Sequence, residues 1–437
     1  MTFQQVTVIG AKRSGLSAAE LLRARGANVR IIDEQPPSPD VLPQSEENLF
    51  AGSPELVVLS PGVPYDLPLV MSARSRGIRV IGEVELAGYF LKGPVIGITG
   101  SNGKTTTTAL TGHVLKECGI DCQVGGNIGT AVTSLIDSSR EDQWNVLELS
   151  SFQLETISEF RAKIGACLNV TPDHLDRHHT FENYAAAKAR LFETQRADDY
   201  AVLNYDDPVC RSYAAKAQSE VYWFSVREHV SGGAWLKGDD ICWGRLPFMS
   251  RSQIRLRGLH NVENVMCAAT MAHLAGAPLA KIGSAVQSFP GVEHRIEFVR
   301  SLDGVDYFND SKATNVDATL KAIDAFPGGL WIILGGKDKG SDYSPLIKPL
   351  RERAKAALLI GAEPPYPYAA APLIKKALDS AVPTVACGSL DRAVTYAREH
   401  AQPGDTVLLA PACASFDQFE NYEERGRAFK QIVQGLS

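Results

Sequence analysis

The stretch "VIGITGSNGKTTTT", residues 95–108, decides the fold. An apolar, β-branched run ends at Thr99, glycines stand at Gly100 and Gly103, and Lys104 and Thr105 open a helix-compatible run. Strand, glycine loop and helix in that order bring backbone N–H groups and a helix N-terminus to one point, which suits phosphate. Lys104 is placed to reach β- and γ-phosphates, and the Thr105 hydroxyl suits Mg²⁺. The usual signature G-x-x-x-x-G-K-[ST] asks for a glycine where this chain has Ile98. The stretch is read as an ATP-binding loop, with Gly100, Ser101, Asn102, Gly103, Lys104, Thr105 and Thr106 on the phosphates; a bare Gly-Thr turn is the alternative.

Outward from the loop, short β-branched runs alternate with helical stretches almost everywhere, the pattern of parallel sheets covered by helices. Strands are expected at 6–9, 29–33, 56–60 and 79–81, with a helix at 16–24 that stops before Gly26. "FLKGP" (90–94) breaks the pattern and places a boundary near residue 92. After the loop come a helix at 105–116, strands at 145–150 and 165–171, and an Ala-rich helix around Lys188. A Trp-containing meander at 221–257 reads as antiparallel decoration, and a helix is expected at 261–275. "SFPGVEHR" (288–295) reads as a linker. Strand then helix resumes with "DYFND", "LWIILGG", "AALLIG", "TVACG" and "DTVLLAP". The expected class is α/β in three domains: Rossmann-like at 1–92, P-loop-type ATPase at 93–291 and Rossmann-like at 292–437.

The 437 residues are about three domains' worth, and 44% hydrophobic against 22% charged residues is material for packed cores. A net charge of −6 without a basic block draws the chain neither to nucleic acid nor to an anionic membrane, so small-molecule partners are expected. No apolar run approaches 18 residues and no leader precedes the first strand, so a cytoplasmic location is expected. Eight scattered cysteines form no C-x-x-C pair and read as free buried thiols.

Glu148 ends the apolar run "NVLELS" (145–150), where a Mg²⁺-binding acid would sit, though a capping role stays open. "NVTPDHLDRH" (169–178) brings His174 to the end of the next strand, so Thr105, Glu148 and His174 converge on one edge of a parallel sheet. Lys188 in "YAAAKARLF" is by spacing a solvated helix lysine. "GGNIG" (125–129) either lies against a substrate or simply turns. "GAKRSG" (10–15) imitates a dinucleotide fingerprint but carries Lys12 where its second glycine belongs, which disfavours nicotinamide; Asp33 ends the next strand, where ribose hydroxyls are met. "EHRIE" offers Arg295, "NDSKATN" (309–315) crowds Asp310, Lys312 and Thr314 into one loop, and "APACASFDQF" (410–419) ends a strand near Ser415, with a helix cap as the alternative.

These pieces in this order resemble the Mur ligases over nearly the whole chain. "GITGSNGKTT" is similar to the family's own loop G-[ST]-N-G-K-[ST], which accommodates Ile98. "GGNIG", "ELSSFQLE", "NVTPDHLDRH", "LHNVEN", "EHR", "NDSKATN" and "LGGKDKGSDY" resemble its successive signatures. "APACASFDQF" resembles the form typical of the D-glutamate-adding members, with Ala410 in place of Ser. The resemblance implies an ATP-dependent ligase that joins D-glutamate to UDP-N-acetylmuramoyl-L-alanine through an acyl phosphate, in peptidoglycan precursor synthesis, as a cytoplasmic monomer. It implies Arg13, Ser14 and Asp33 on the UDP moiety, with Lys12 replacing a family glycine, and Asn127, Ser150, Gln153 and His174 along the muramoyl-alanine path. Two Mg²⁺ ions are implied, one on Thr105 and Glu148, the other on His174 and a carbamylated Lys188. Asn264, Arg295 and Asp310 would contact ATP. Lys312, Thr314, Lys339, Ser415 and Tyr422 would hold D-glutamate, Tyr422 standing for a Phe. Lys104, His174, Lys188 and Arg295 form the implied catalytic set. Among rivals, the meso-diaminopimelate-adding members carry a D-N-P-R signature that is absent here, and folylpolyglutamate synthases lack this first domain. A P-loop switch or motor ATPase would turn over ATP without a carboxylate substrate.

Overall fold

The β-branched runs at the start of the chain form a five-stranded parallel sheet in the order β3-β2-β1-β4-β5 in the computed structural model, which describes residues 3–127, 129–256, 258–378 and 381–436. Its strands are β1 (Gln5–Ile9), β2 (Asn28–Asp33), β3 (Leu42–Pro43), β4 (Leu56–Leu59) and β5 (Arg79–Gly82). The helix Arg13–Ala24 packs tightly on β1: a Cβ at Gly15 would lie 1.8 Å from the Gly10 carbonyl oxygen.

The second sheet has nine strands in the order β14-β13-β12-β11-β10-β9-β6-β8-β7. They are β6 (Val95–Thr99), β7 (Cys122–Gly126), β8 (Trp144–Glu148), β9 (Ile164–Cys167), β10 (Tyr200–Asn204), β11 (Glu220–Ser225), β12 (Gly233–Lys237), β13 (Asp240–Trp243) and β14 (Leu246–Ser250). The phosphate-loop strand β6 lies between β9 and β8, all three parallel, so the loops after them open on the same edge. The meander departs from expectation. β11 and β12 join in parallel, and only β12 to β14 run antiparallel. Gly233 permits this, because a Cβ there would lie 1.9 Å from the Trp223 carbonyl oxygen.

The third sheet runs β15-β16-β20-β17-β18-β19, built from β15 (Glu297–Leu302), β16 (Val305–Asn309), β17 (Leu330–Gly335), β18 (Ala354–Ile360), β19 (Thr384–Gly388) and β20 (Thr406–Leu409). The antiparallel strand β15, which follows the expected linker at 288–295, was not among the expected strands. Asp303 and Gly304, both at positive φ, make the tight turn between β15 and β16, a D-G signal present in the sequence. All eight cysteines are free, and all but Cys118 are buried. No helix among the described residues is long and apolar enough to cross a membrane.

The chain divides into two compact units, Met1–Ile254 with Val262–Phe289, and Arg255–Asn261 with Pro290–Ser437. The first unit contains the first two sheets, which share one apolar core. Glu85 fastens them. Its buried carboxylate accepts the backbone N–H groups of Ser158, Glu159 and Phe160, each at 2.9 Å, and hydroxyl groups from Ser158 and Tyr89 at 2.8 Å. Burial alone would raise its pKa, yet these donors win and hold it below the ordinary range. Glu85 therefore adds stability at neutral pH that is lost as pH falls through its folded-state pKa. Glu85→Ala leaves three N–H groups unmatched and should cost about 3 kcal/mol, at about 1 kcal/mol each. Thermal unfolding at pH 7 should show the midpoint fall by several degrees, and the gap to Glu85→Gln should close in acid.

Candidate phosphate and substrate sites

The loop after β6 is built for close approach. Gly100 (φ 147°) and Gly103 (φ 85°) take backbone angles that side chains resist, and a Cβ at Gly103 would lie 2.3 Å from Asn264 Oδ1. The residues after β9 clamp the loop. Ser101 N donates to the Asn169 carbonyl at 2.8 Å, Asn102 N to Asn169 Oδ1 at 2.9 Å, and Asn169 Nδ2 returns a bond to the Asn102 carbonyl at 3.1 Å. Ser101 Oγ lies 3.0 Å from both the Thr171 carbonyl oxygen and the Tyr184 hydroxyl. Sequence reasoning passed over Asn169 and Tyr184 as site residues, although Asn169 opens "NVTPDHLDRH". Thr105 and Thr106 are buried in the first turn of the helix Lys104–Glu117.

Two ammonium groups meet at one carbonyl. Lys104 Nζ donates to the Gly100 and Ser101 carbonyl oxygens at 2.8 Å each, and Lys188 Nζ donates to the Gly100 oxygen at 2.9 Å. Lys188 is no solvated helix lysine, being only 1% exposed on the helix Phe181–Ala189 with its nitrogen 4.4 Å from the Tyr184 ring centre. Burial, followed by the charge of Lys104, lowers its pKa to about 7.

Glu148, at 3% exposure, pairs in register with Ile98 and so stands one strand away from the loop. Its Oε1 accepts from Asn127 Nδ2 at 3.0 Å, while Oε2 is buried with no hydrogen-bond partner. A buried carboxylate oxygen without a donor fits a hard divalent cation. Asn127 N also donates to the Glu148 carbonyl oxygen at 2.9 Å, so Asn127 braces the acid directly; Ile128 of "GGNIG" lies outside the described residues. His174 sits at φ 53°, half exposed, with its ring edge-on to Phe152 at 4.8 Å. Burial lowers its pKa and Lys104 and Lys188 push the same way against Asp173, which favours the neutral imidazole that ligates metals. Ser150 and Gln153 form a reciprocal capping box, Gln153 N to Ser150 Oγ at 3.3 Å and Ser150 N to Gln153 Oε1 at 2.9 Å.

In the first sheet Arg13 and Ser14 open the helix after β1, and Asp33 braces the same turn by accepting Ala11 N at 2.6 Å. Lys12 stands there at φ −88°, which any residue adopts, so the turn does not require the glycine it replaces.

The second unit gathers its candidates at the carboxyl edge of its sheet. Asp310, buried after β16, has its pKa raised to about 7 by burial, against the pull of Arg295 and Lys312. Lys312 Nζ lies 5.3 Å from the Tyr422 ring centre, and Thr314 N bonds the Lys312 carbonyl at 2.8 Å. Ser415 is buried in the loop after β20 and caps no helix; Asn421 caps the helix Tyr422–Gln434 instead. Lys337 N donates to the Ala414 carbonyl at 2.9 Å, which joins that loop to the loop carrying the exposed Lys339. Arg425, also missed in sequence, is 1% exposed and ties the loops after β16 and β20 through Ser311 and Cys413. Among the described residues, one three-ligand group, Glu293, His294 and Glu297, is spaced as for a metal, but Lys430 already bridges its carboxylates at 2.9 and 2.7 Å.

Three family profiles match in chain order: the Mur ligase MurD-like N-terminal domain at residues 4–82, the Mur ligase middle domain at 98–272 and the Mur ligase glutamate ligase domain at 294–413. The UDP-N-acetylmuramoylalanine–D-glutamate ligase of Solibacter usitatus (strain Ellin6076) is 60% identical over 98% of this chain and 97% of its own. The enzyme of the same name from Acidobacterium capsulatum is 49% identical over 98% and 96%. Among solved structures, the UDP-N-acetylmuramate-alanine ligase of Thermotoga maritima superposes with a TM-score of 0.63 at 17% identity, covering 99% of each chain. A pseudomurein peptide ligase type C from Methanothermus fervidus gives 0.62 at 17% identity, over 99% of this chain and 100% of its own. These two likenesses speak for the fold alone.

The buried ammonium has a measurable signature. Since the folded-state pKa of Lys188 lies below the unfolded value, its charge weakens the fold at and below pH 7, and stability returns as pH rises from about 7 towards 10.5. Lys188→Met should therefore unfold at or above the wild-type temperature at pH 7, with the difference shrinking by pH 10, as followed by calorimetry.

Proposed function

Because the chain belongs to the Mur ligase family, we propose that it is the ATP-dependent ligase that adds D-glutamate to UDP-N-acetylmuramoyl-L-alanine in peptidoglycan precursor synthesis. The observation that supports this most is the meeting of Lys104 and Lys188 at the Gly100 carbonyl, one strand away from the partnerless oxygen of Glu148. That arrangement suits a transferable phosphate and a cation.

A carboxylate is a poor electrophile. Transfer of the γ-phosphoryl group from ATP to the alanyl carboxylate oxygen gives an acyl phosphate and ADP, after which the D-glutamate amine attacks, a tetrahedral intermediate collapses and phosphate leaves. The loop N–H groups and Lys104 hold the β- and γ-phosphates, with Lys104 exchanging its two carbonyl acceptors for phosphate oxygens. Asn264, Arg295 and Asp310 are assigned to ATP. Arg13, Ser14 and Asp33 are assigned to the UDP moiety, and Asn127, Ser150, Gln153 and His174 to the muramoyl-alanine portion. Lys312, Thr314, Lys339, Ser415 and Tyr422 are assigned to D-glutamate, whose two carboxylates match two lysines.

Thr105, Glu148, His174 and Lys188 are assigned to two Mg²⁺ ions, which would neutralise charge building on the phosphates. Lys188 reaches that role as a carbamate. With a pKa near 7 much of its amine is neutral at physiological pH. Its lone pair can attack CO₂, forming an N–C bond and releasing a proton, so that an ammonium becomes an anionic oxygen donor. We assign the domains to 1–92, 93–291 and 292–437, and the protein to the cytoplasm as a monomer.

Phosphate release measured with ATP and UDP-N-acetylmuramoyl-L-alanine should require D-glutamate and should fail with L-glutamate or meso-diaminopimelate; release with water alone would refute the proposal in favour of a simple ATPase. Lys188→Ala should lose activity by a factor of about 10² or more, and millimolar short carboxylates should restore part of it. Activity unchanged in that variant would remove Lys188 from the metal site.

A further inference from the structure

One largely covered cation in the first unit has no part in the chemistry above. Arg177, with a side chain 9% exposed, sends Nη2 to the Val63 carbonyl oxygen and to Glu155 Oε2, both at 2.8 Å, while Nη1 lies 3.5 Å from the Gly62 carbonyl oxygen. Gly62 and Val63 belong to the loop after β4, at the carboxyl edge of the first sheet, where such sheets receive ligands. Glu155 follows the short helix Ser151–Leu154 just beyond β8. The guanidinium carbon also stands 4.9 Å from the Phe152 ring centre, and Phe152 is the ring that meets His174 edge-on.

The segment bearing Arg177 is a single helical turn, Leu175–His178, entered and left through residues at positive φ, His174 at 53° and His179 at 65°. Left-handed angles at non-glycine residues persist only where surrounding bonds impose them. Here the bonds come from the first sheet's loop at two points, Arg177 on Gly62 and Val63, and His179 Nε2 on Asp66 Oδ2 at 2.9 Å. An arginine serving only to neutralise Glu155 would not need backbone acceptors on another sheet.

We propose that Arg177 is a positioning residue that couples the loop after β4 to the imidazole of His174, so that substrate held at the first sheet sets the orientation of a ligand at the phosphate site. The proposal rests on the assignment of the UDP-substrate to the first sheet. A ligand that draws the loop by its backbone moves the Gly62 and Val63 carbonyls, the guanidinium follows its acceptors, and Phe152 transmits the shift to His174.

Metal-free protein carrying ¹³C,¹⁵N-histidine tests this by NMR, with His174→Gln identifying the signal. Titrating UDP, which keeps the part assigned to the first sheet and lacks the muramoyl-alanine portion assigned to His174, should shift the His174 ring resonances in the wild type, little in Arg177→Ala, and partly in Arg177→Lys, which keeps a charged donor group without the fork. In steady-state assays Arg177→Ala should lower kcat about tenfold while KM for ATP stays within about threefold, the mark of a misplaced group rather than lost binding. Equal His174 shifts in wild type and Arg177→Ala, or none in a wild type that binds UDP by calorimetry, overturn the coupling. Absence of UDP binding by calorimetry overturns instead the reading beneath it, and the coupling with it.

Discussion

Two positive charges share the Gly100 carbonyl oxygen, and the surrounding architecture follows from the need to keep them there. A lysine displaced from 10.5 to about 7 carries roughly 5 kcal/mol of disfavoured charge, so its burial must be imposed by everything packed around it. The central strand β6 delivers the carbonyl, the Asn169 clamp fixes the loop, and Tyr184 offers a ring face to the Lys188 ammonium. Cationic and hydroxyl groups gather here: two ammoniums and the buried Thr105 and Thr106 stand around the loop. Such a site suits anions of the kind a nucleotide's phosphates present.

The phosphate loop and most strands were legible because their signals are local. β-Branched runs mark buried parallel strands, and Gly100 and Gly103 mark the turn whatever follows. Lys188 was misread because its nearest neighbours in sequence are alanines, although Tyr184, Leu191 and Phe192 at i−4, i+3 and i+4 share its face and are buried. The parallel pairing of β11 with β12 was illegible for another reason. The connection between them has no helix, and so short a link between adjacent strands ordinarily means a hairpin. β15 could have been found, since Asp303–Gly304 between two alternating runs is a hairpin signal. Arg177 lay within a quoted motif, but its acceptors are carbonyls more than a hundred residues away, which no local pattern reveals.

Departures from familiar motifs proved informative once geometry was available. Ile98 is an interior strand residue in register with Glu148, so a glycine there would only weaken β6. Lys12 occupies ordinary φ, whereas neighbouring Gly10 and Gly15 meet Ser60 and one another too closely for any side chain. Backbone approach, and not the spelling of a signature, decides which glycines such a loop can lose.

Glu85 and the hydroxyl cluster of Ser17, Thr133 and Ser134 cross from the first sheet's helices to the second sheet's. Thr133 further donates its N–H and hydroxyl to the buried Glu83. The first five strands and the helix Glu83–Gly88 are thus a cassette in name only. Transplanted alone onto another member's core, they would need a host that presents matching donors to both glutamates, and recombination among relatives should be tolerated only when these partners travel together.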